Sequence, residues 1–188
     1  MVEAEELGAR NDQFTRVVDE TLTAVSRYAL RRAANSADAE DAVAETYAVA
    51  WRRRDQLPTG PEALPWLYGV ARNVLANQHR SQRRWGRLHL KVAGQPQQHA
   101  PDADGIVERQ PVLDALGKLP PDDAELLRLL TWEQLRQSEA AQVLGISENA
   151  VALRASRARK RLAEILDDRS SNVVDMKDRT TERRSDEV

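Results

Sequence analysis

The sequence has no cysteine, and that excludes a disulfide framework, a thiol nucleophile and any cysteine-based zinc site. Histidine is nearly as scarce: the 3 present are scattered without metal-ligand spacing, so neither metal nor redox chemistry is expected. A single Phe and few β-branched runs argue against a sheet-built core. No window approaches the roughly 18 unbroken apolar residues of a membrane span, and the opening MVEAEELGAR is acidic where a signal peptide is basic. The expectation is a protein without membrane insertion that stays in the cytoplasm. No cluster of titratable groups suggests catalysis, so neither an enzyme nor a cofactor or small-molecule substrate is expected.

What remains is rich in Leu, Ala and Val. At 188 residues and 41% hydrophobic content, the chain can form one ordinary domain or two small helical ones, and all-α is the expected class. The formal net charge of −2 does not favour a nucleic-acid partner, but charge acts locally. Between Glu62 and Asp102 there is no acidic residue, while Arg72, Arg80, Arg83, Arg84, Arg87 and Lys91 all fall inside. Between Glu148 and Glu164 the same holds around Arg154, Arg157, Arg159, Lys160 and Arg161. A basic run is often only a solvated helix face, but two such islands on one acidic chain point to polyanions.

Helical patterning is visible from about Thr15 to Arg84, enough for three helices, and from about Val112 to Leu166, enough for four. This gives a polar extension over 1–14, a first domain over 15–87, a flexible linker over 88–110, a second domain over 111–168 and a tail over 169–188. The linker is rich in Gly, Pro, Gln and Asp, and the tail mixes charges with little to bury, so no fold is expected there. In the second helix, Ser36 or Asp38 can cap the start. Val43, Tyr47, Ala50 and Trp51 make a buried stripe, and Glu40, Asp41 and Glu45 leave an acidic ridge without an obvious intrahelical partner. Arg52, Arg53 and Arg54 at its end suit the negative end of the helix dipole.

The third helix, about Leu64 to Arg84, has Leu67, Val70, Ala71 and Val74 as its core stripe. A second stripe runs through Trp66, Gly69, Asn73, Asn77, Arg80 and Arg84, at steps of three or four. Amides can hydrogen-bond base edges, arginines hold phosphates, and Trp66 or its neighbour Tyr68 can stack on an unpaired base. The plainer reading is that Trp66 covers the core and the amides face water.

The strongest local signal is SEAAQVLGISENAVALRASRARKRLAEIL, starting at Ser138. Ala140, Ala141, Val143 and Leu144 form a short apolar helix, Gly145 stops it, and Ser147 caps the next. Val151, Ala155, Ala158, Leu162 and Ile165 trace the buried stripe of the second helix, with alanines permitting close helix crossing. Glu148, Asn149, Ala152, Leu153 and Ser156 lie toward the end that would enter a major groove, and Arg154, Arg157 and Lys160 lie where phosphates would flank it. This is a helix-turn-helix.

Three stretches together resemble the extracytoplasmic-function class, or group 4, of bacterial sigma factors within the sigma-70 family: AEDAVAETYAVAW from Ala39, PWLYGVARNVLANQHR from Pro65, and LDALGKLPPDDAELLRLLTWEQL followed by the helix-turn-helix. The resemblance implies a region 2-like three-helix bundle and a region 4-like four-helix domain on a flexible linker. It implies binding to core RNA polymerase and promoter DNA, strand opening, and an anti-sigma factor as a further partner, with catalysis left to the polymerase. By motif, Glu40, Asp41, Ala44 and Glu45 would meet the polymerase. Trp66, Tyr68, Arg72, Asn73, Asn77, Arg80, Arg83 and Arg84 would serve the minus-ten element. Glu148, Asn149, Ala152, Leu153, Arg154, Ser156, Arg157 and Lys160 would serve the minus-thirty-five element. Four positions depart from the family pattern: Ala44 in place of a common Gln, Gly69 within a helix, Arg136 in place of a Ser or Thr cap with Ser138 as a substitute, and Ala152 in place of a common basic residue. The alternative is a dimeric helix-turn-helix regulator acting without replacing a sigma factor, which accounts for the second basic island but not the first.

Overall fold

In a computed structural model, the backbone is described for residues 2–89 and 110–185, with side-chain surroundings for residues 8, 10–82, 84 and 111–168. Among the described residues there are seven α-helices, two 3-10 turns and no strand. Compact units form from Met1–Asp102 with Ser138–Gly145, and from Ala103–Gln137 with Ile146–Val188.

Helix α1 spans Val2–Leu30. Val17, Thr21, Val25, Tyr28 and Ala29 are buried along it at helical steps, facing the core. The helix starts well before Thr15, across the expected polar extension. Glu, Ala, Leu and Arg in that stretch are strong helix formers, and the early glutamates suit the positive end of the dipole. Within it Arg10 pairs with Asp55 at 3.3 Å, and Phe14 meets Trp51 edge-on at 5.0 Å.

Helix α2, Ser36–Arg52, is capped by Asn35 rather than by Ser36 or Asp38. The Asp38 backbone N–H donates to Asn35 Oδ1 at 2.8 Å, which caps the helix, and Asn35 Nδ2 donates to Asp38 Oδ2 at 2.9 Å, which ties the two side chains together. Its buried stripe is Ala39, Ala42, Thr46 and Ala50. Of the expected stripe, Ala50 is buried on this line, Val43 and Tyr47 flank the core half-buried, and Trp51 is exposed. Small residues take the line of closest approach, and larger ones pack beside it. Thr46 satisfies its hydroxyl by donating to the Ala42 carbonyl at 2.6 Å. Tyr47 shares a 2.9 Å hydrogen bond with Thr21, and burial raises its phenol above the ordinary value, partly opposed by that bond.

After Leu57, which is buried, Gly60 takes φ +61 in the turn LPTGP, a conformation that favours glycine. Helix α3 then runs Ala63–His89, so its end includes the first residues of the expected linker. Ala63, Leu67, Tyr68, Ala71, Val74 and Leu75 are buried, while Val70 is only half-buried. The first core joins Val17, Val25, Ala50, Leu57, Ala63 and Leu67 from α1, α2, the turn and α3. A polar clasp supplements it. Gln82 Nε2 donates to Asp38 Oδ2 at 2.9 Å, Gln78 Nε2 donates to the Asp38 carbonyl at 3.4 Å, and His79 Nε2 lies 3.3 Å from the Arg32 carbonyl.

Helices α4, Gln110–Lys118, and α5, Pro121–Thr131, pack with α7, Glu148–Ser185. Pro121 suits the first turn of α5, where its missing N–H costs nothing. Leu116, Leu119, Ala124, Leu127 and Ala158 make the second core, with Trp132, Leu162 and Ile165 packed against it. Helix α6 is Gln137–Leu144, so Ser138 falls inside its first turn and does not cap it. Helix α7 reaches Ser185 across most of the tail where composition suggests no fold. A helix satisfies its backbone hydrogen bonds internally and needs no apolar stripe to do so. The linker residues 90–109 lie outside the described residues.

Candidate nucleic-acid interface

The turn between α6 and α7 forms as its residues dictate. Gly145 adopts φ +66, the left-handed conformation that ends α6. Two residues later, Ser147 Oγ accepts from the Ala150 backbone N–H at 3.2 Å and caps α7. Val151, Ala155 and Ala158 are buried, with Leu162 and Ile165 following on the same side. The opposite side is open: Glu148, Asn149, Ala152, Leu153, Ser156, Arg157 and Lys160 are all exposed. Leu153, at 54% relative exposure, is a large apolar residue with no core role, which suits contact with a thymine methyl or a partner surface.

Arg154 is different. Its Nε lies 3.7 Å from Asp123 Oδ1, and Arg161 Nη1 lies 2.9 Å from Asp123 Oδ2. The second basic island has no acid in sequence, yet Asp123 of α5 supplies one in space. That neighbour was not legible locally, because it belongs to a different helix.

On α3 the structure separates the proposed stripe into two groups. Asn73, Asn77, Arg80 and Arg84 are exposed, and Arg80 Nη2 donates to Asn77 Oδ1. That bond occupies the amide oxygen and leaves the NH2 to donate elsewhere. Arg72 is half-buried, and Arg83 belongs to the same helix. Trp66 is half-buried against the first core, so the plainer reading of this residue holds. Tyr68 is buried and stacked on Tyr28, with ring centroids 4.8 Å apart, and does not present its ring for base stacking. The Arg32 guanidinium covers the other ring, 3.6 Å from the Tyr28 centroid. Residue spacing could not expose this arrangement, since Tyr28 lies on α1.

Along α2, Glu40, Asp41, Ala44 and Glu45 are exposed on one helix, as expected. The ridge is not wholly unpartnered, however: Arg52 donates to Glu45 Oε1 at 2.7 Å. Two turns separate the residues, beyond the three- and four-residue spacings that reveal helix-surface pairs. Both side chains are largely exposed, so this pair contributes at most about 1 kcal/mol and can yield to a competing cation.

Comparison with known proteins decides what these faces belong to. The family model described as Sigma-70 region 2 matches residues 17–85, and that described as Sigma-70, region 4 matches residues 109–162. The ECF RNA polymerase sigma factor SigL of Mycobacterium tuberculosis is 32% identical over 139 residues, covering 72% of this chain and 78% of that protein. The chain is an extracytoplasmic-function sigma factor of the sigma-70 family. The RNA polymerase sigma factor CarQ of Myxococcus xanthus is likewise 32% identical, across 76% of this chain and 82% of CarQ. The probable RNA polymerase sigma factor RfaY of Xanthomonas campestris is also 32% identical over 78% of this chain, but the match spans only 38% of RfaY.

Solved structures agree on the fold of the sigma factor. The sigma factor RpoE from Bartonella quintana, in complex with the anti-sigma factor NepR, superposes with TM-score 0.64 at 27% identity, covering 82% of this chain and 96% of that one. CnrH, in complex with the cytosolic domain of CnrY, gives TM-score 0.57 at 28% identity, covering 82% and 87%. No helix among the described residues is long and apolar enough to cross a membrane.

Proposed function

We propose that this sigma factor binds core RNA polymerase and promoter DNA, directs promoter recognition and strand opening, and thereby starts transcription. The observation that carries this reading is the occurrence, in order on one chain, of a region 2 match around α3 and a region 4 match around α7. Each helix carries an exposed polar and basic face. Glu40, Asp41, Ala44 and Glu45 form the polymerase contact. Asn73, Asn77, Arg80 and Arg84, with Arg72 and Arg83 on the same helix, serve the minus-ten element. The exposed residues from Glu148 to Lys160 on α7 serve the minus-thirty-five element. We place the two domains at residues 15–87 and 111–168, joined by 88–110; separate family matches over 17–85 and 109–162 support a two-domain reading. The protein acts in the cytoplasm beside polymerase. An anti-sigma factor is a natural further partner, because the Bartonella quintana relative is held by one.

The test is to combine the purified full chain with core RNA polymerase and a randomised promoter library, and to map transcription starts. Specific starts that require the chain support the reading. Tight binding to palindromic duplex as a dimer without polymerase would favour the dimeric regulator.

Two substitutions refine the assignment. Arg157→Ala removes an exposed guanidinium without touching the core. It should weaken holoenzyme binding to all promoters and reduce the salt slope by about 0.9, one phosphate contact. An unchanged slope would place Arg157 off the DNA. Asn77→Ala removes an amide whose donor group is free to reach a base, together with the Arg80 hydrogen bond. Promoter opening, followed by permanganate reactivity of unpaired thymines, should fall about tenfold while closed-complex affinity changes much less. Equal losses in both would make Asn77 a generic contact.

A further inference from the structure

Asp123 occupies a position that no assignment above uses. It sits in the first turn of α5, its side chain 14% exposed, and receives guanidiniums from two residues of α7. Arg154 and Arg161 are seven residues apart, two helical turns on one side of α7, and they approach different oxygens of the same carboxylate. Arg161 makes the shorter contact, a 2.9 Å hydrogen bond to Oδ2. Arg154 approaches Oδ1 through Nε, at 3.7 Å.

The chemistry of that approach matters. A guanidinium has five N–H donors in a rigid plane, and engaging Nε leaves the terminal nitrogens available for a second anion. At 3.7 Å this is an ion pair and not a hydrogen bond, so the carboxylate biases Arg154 toward one position and reduces the rotamer freedom left to lose on meeting a phosphate. Arg161, held to the other oxygen, limits rotation of the carboxylate. A plain acidic residue at a helix start would need neither arginine, since the helix dipole alone accommodates it.

We propose that Asp123 is a positioning residue for promoter recognition: it orients Arg154 toward a phosphate of the minus-thirty-five duplex, with Arg161 keeping its carboxylate in place. This rests on the reading of α7 as the helix that meets that element. Asp123 does not touch DNA. It acts through Arg154, and the carboxylate improves specific binding although its charge opposes DNA.

That last point gives opposite expectations for Asp123→Asn. Loss of a negative charge beside DNA should strengthen binding everywhere, whereas loss of positioning should weaken it where Arg154 is held in register. The experiment uses holoenzyme reconstituted with the full chain, a promoter selected from the randomised library, and the same promoter with its upstream element scrambled. Asp123→Asn should lower affinity for the selected promoter about fivefold, Asp123→Glu should restore at least half of it, and Arg154→Ala should lower it about tenfold, with the scrambled promoter showing whether the loss is uniform as for a phosphate contact. The double variant Asp123→Asn with Arg154→Ala should be no worse than Arg154→Ala alone.

An unchanged or increased affinity for the selected promoter in Asp123→Asn overturns the proposal. So does additivity in the double variant, or a fall in thermal midpoint without a change in affinity, which would make Asp123 a helix-start residue only. Arg157→Ala serves as the control for the underlying reading. If it leaves the salt slope unchanged, the placement of α7 on DNA fails and the proposal falls with it. If it reduces the slope while Asp123→Asn leaves the affinity for the selected promoter intact, only the proposal fails.

Discussion

Tyr28→Ala is expected to remove about 3–5 kcal/mol of stability from the first helical unit. The ring is fully buried between the Arg32 guanidinium on one side and the Tyr68 ring on the other. Truncation therefore leaves a cavity, removes an aromatic pair worth about 0.5–1.5 kcal/mol beyond its buried area, and strips a cation from its ring. A small domain has a total stability of only about 5–15 kcal/mol, so the loss leaves this unit marginal. Hydrogen exchange along the full chain should show protection collapsing through α1, α2 and α3 while α5 and α7 keep theirs. A loss below about 1 kcal/mol would mean that the cavity closes and that the stack contributes little.

The functional consequence follows from where Tyr68 stands. It is on the same helix as Asn73 and Asn77, and its buried ring fixes how that helix lies on α1. The clasp from Gln78, His79 and Gln82 to the α1–α2 turn holds the other half of α3. An aromatic near a row of amides looked, in sequence, like a base-stacking platform. In the fold it is a buried anchor of the helix that carries the amides. Periodicity gave the burial of Leu67, Ala71 and Val74, but Tyr68 lies between the two stripes, and its partner Tyr28 is on a separate helix. A single helix pattern cannot tell a residue at that boundary from an exposed one.

The helix-turn-helix was more legible because its determinants are local. Gly145 is read from the need for positive φ, Ser147 from the need to cap an orphan N–H, and both act within a few residues. The buried line Val151, Ala155 and Ala158 follows from helical spacing alone. What stayed hidden depends on contact between elements: Asp123 beneath Arg154, Asn35 one residue ahead of the expected cap, and the displaced stripe of α2, where Ala39, Ala42 and Thr46 take the central line. Small residues carry a weak hydrophobic signal, yet they are where helices approach most closely.

That closeness makes Ala158→Leu the other large effect. Ala158 has no exposed surface and sits among Leu116, Leu119, Ala124 and Leu127, so three additional carbon atoms have no space without moving α7 off its neighbours. Overpacking of this kind typically costs about 1–3 kcal/mol, a large share of what a small helical domain has. The exposed face of α7 that we propose meets DNA is chemically untouched, so any loss of recognition must pass through the placement of the helix. Holoenzyme carrying Ala158→Leu should lose most of its preference for the selected upstream element over a scrambled one. Hydrogen exchange should show lost protection in α4, α5 and the first turns of α7, with α1 to α3 unchanged. If the variant keeps both its protection and its preference, α7 does not depend on close approach at Ala158. If it loses preference with protection intact, a shift in helix placement without unfolding is sufficient, and the small-residue stripe is then directly a determinant of promoter recognition.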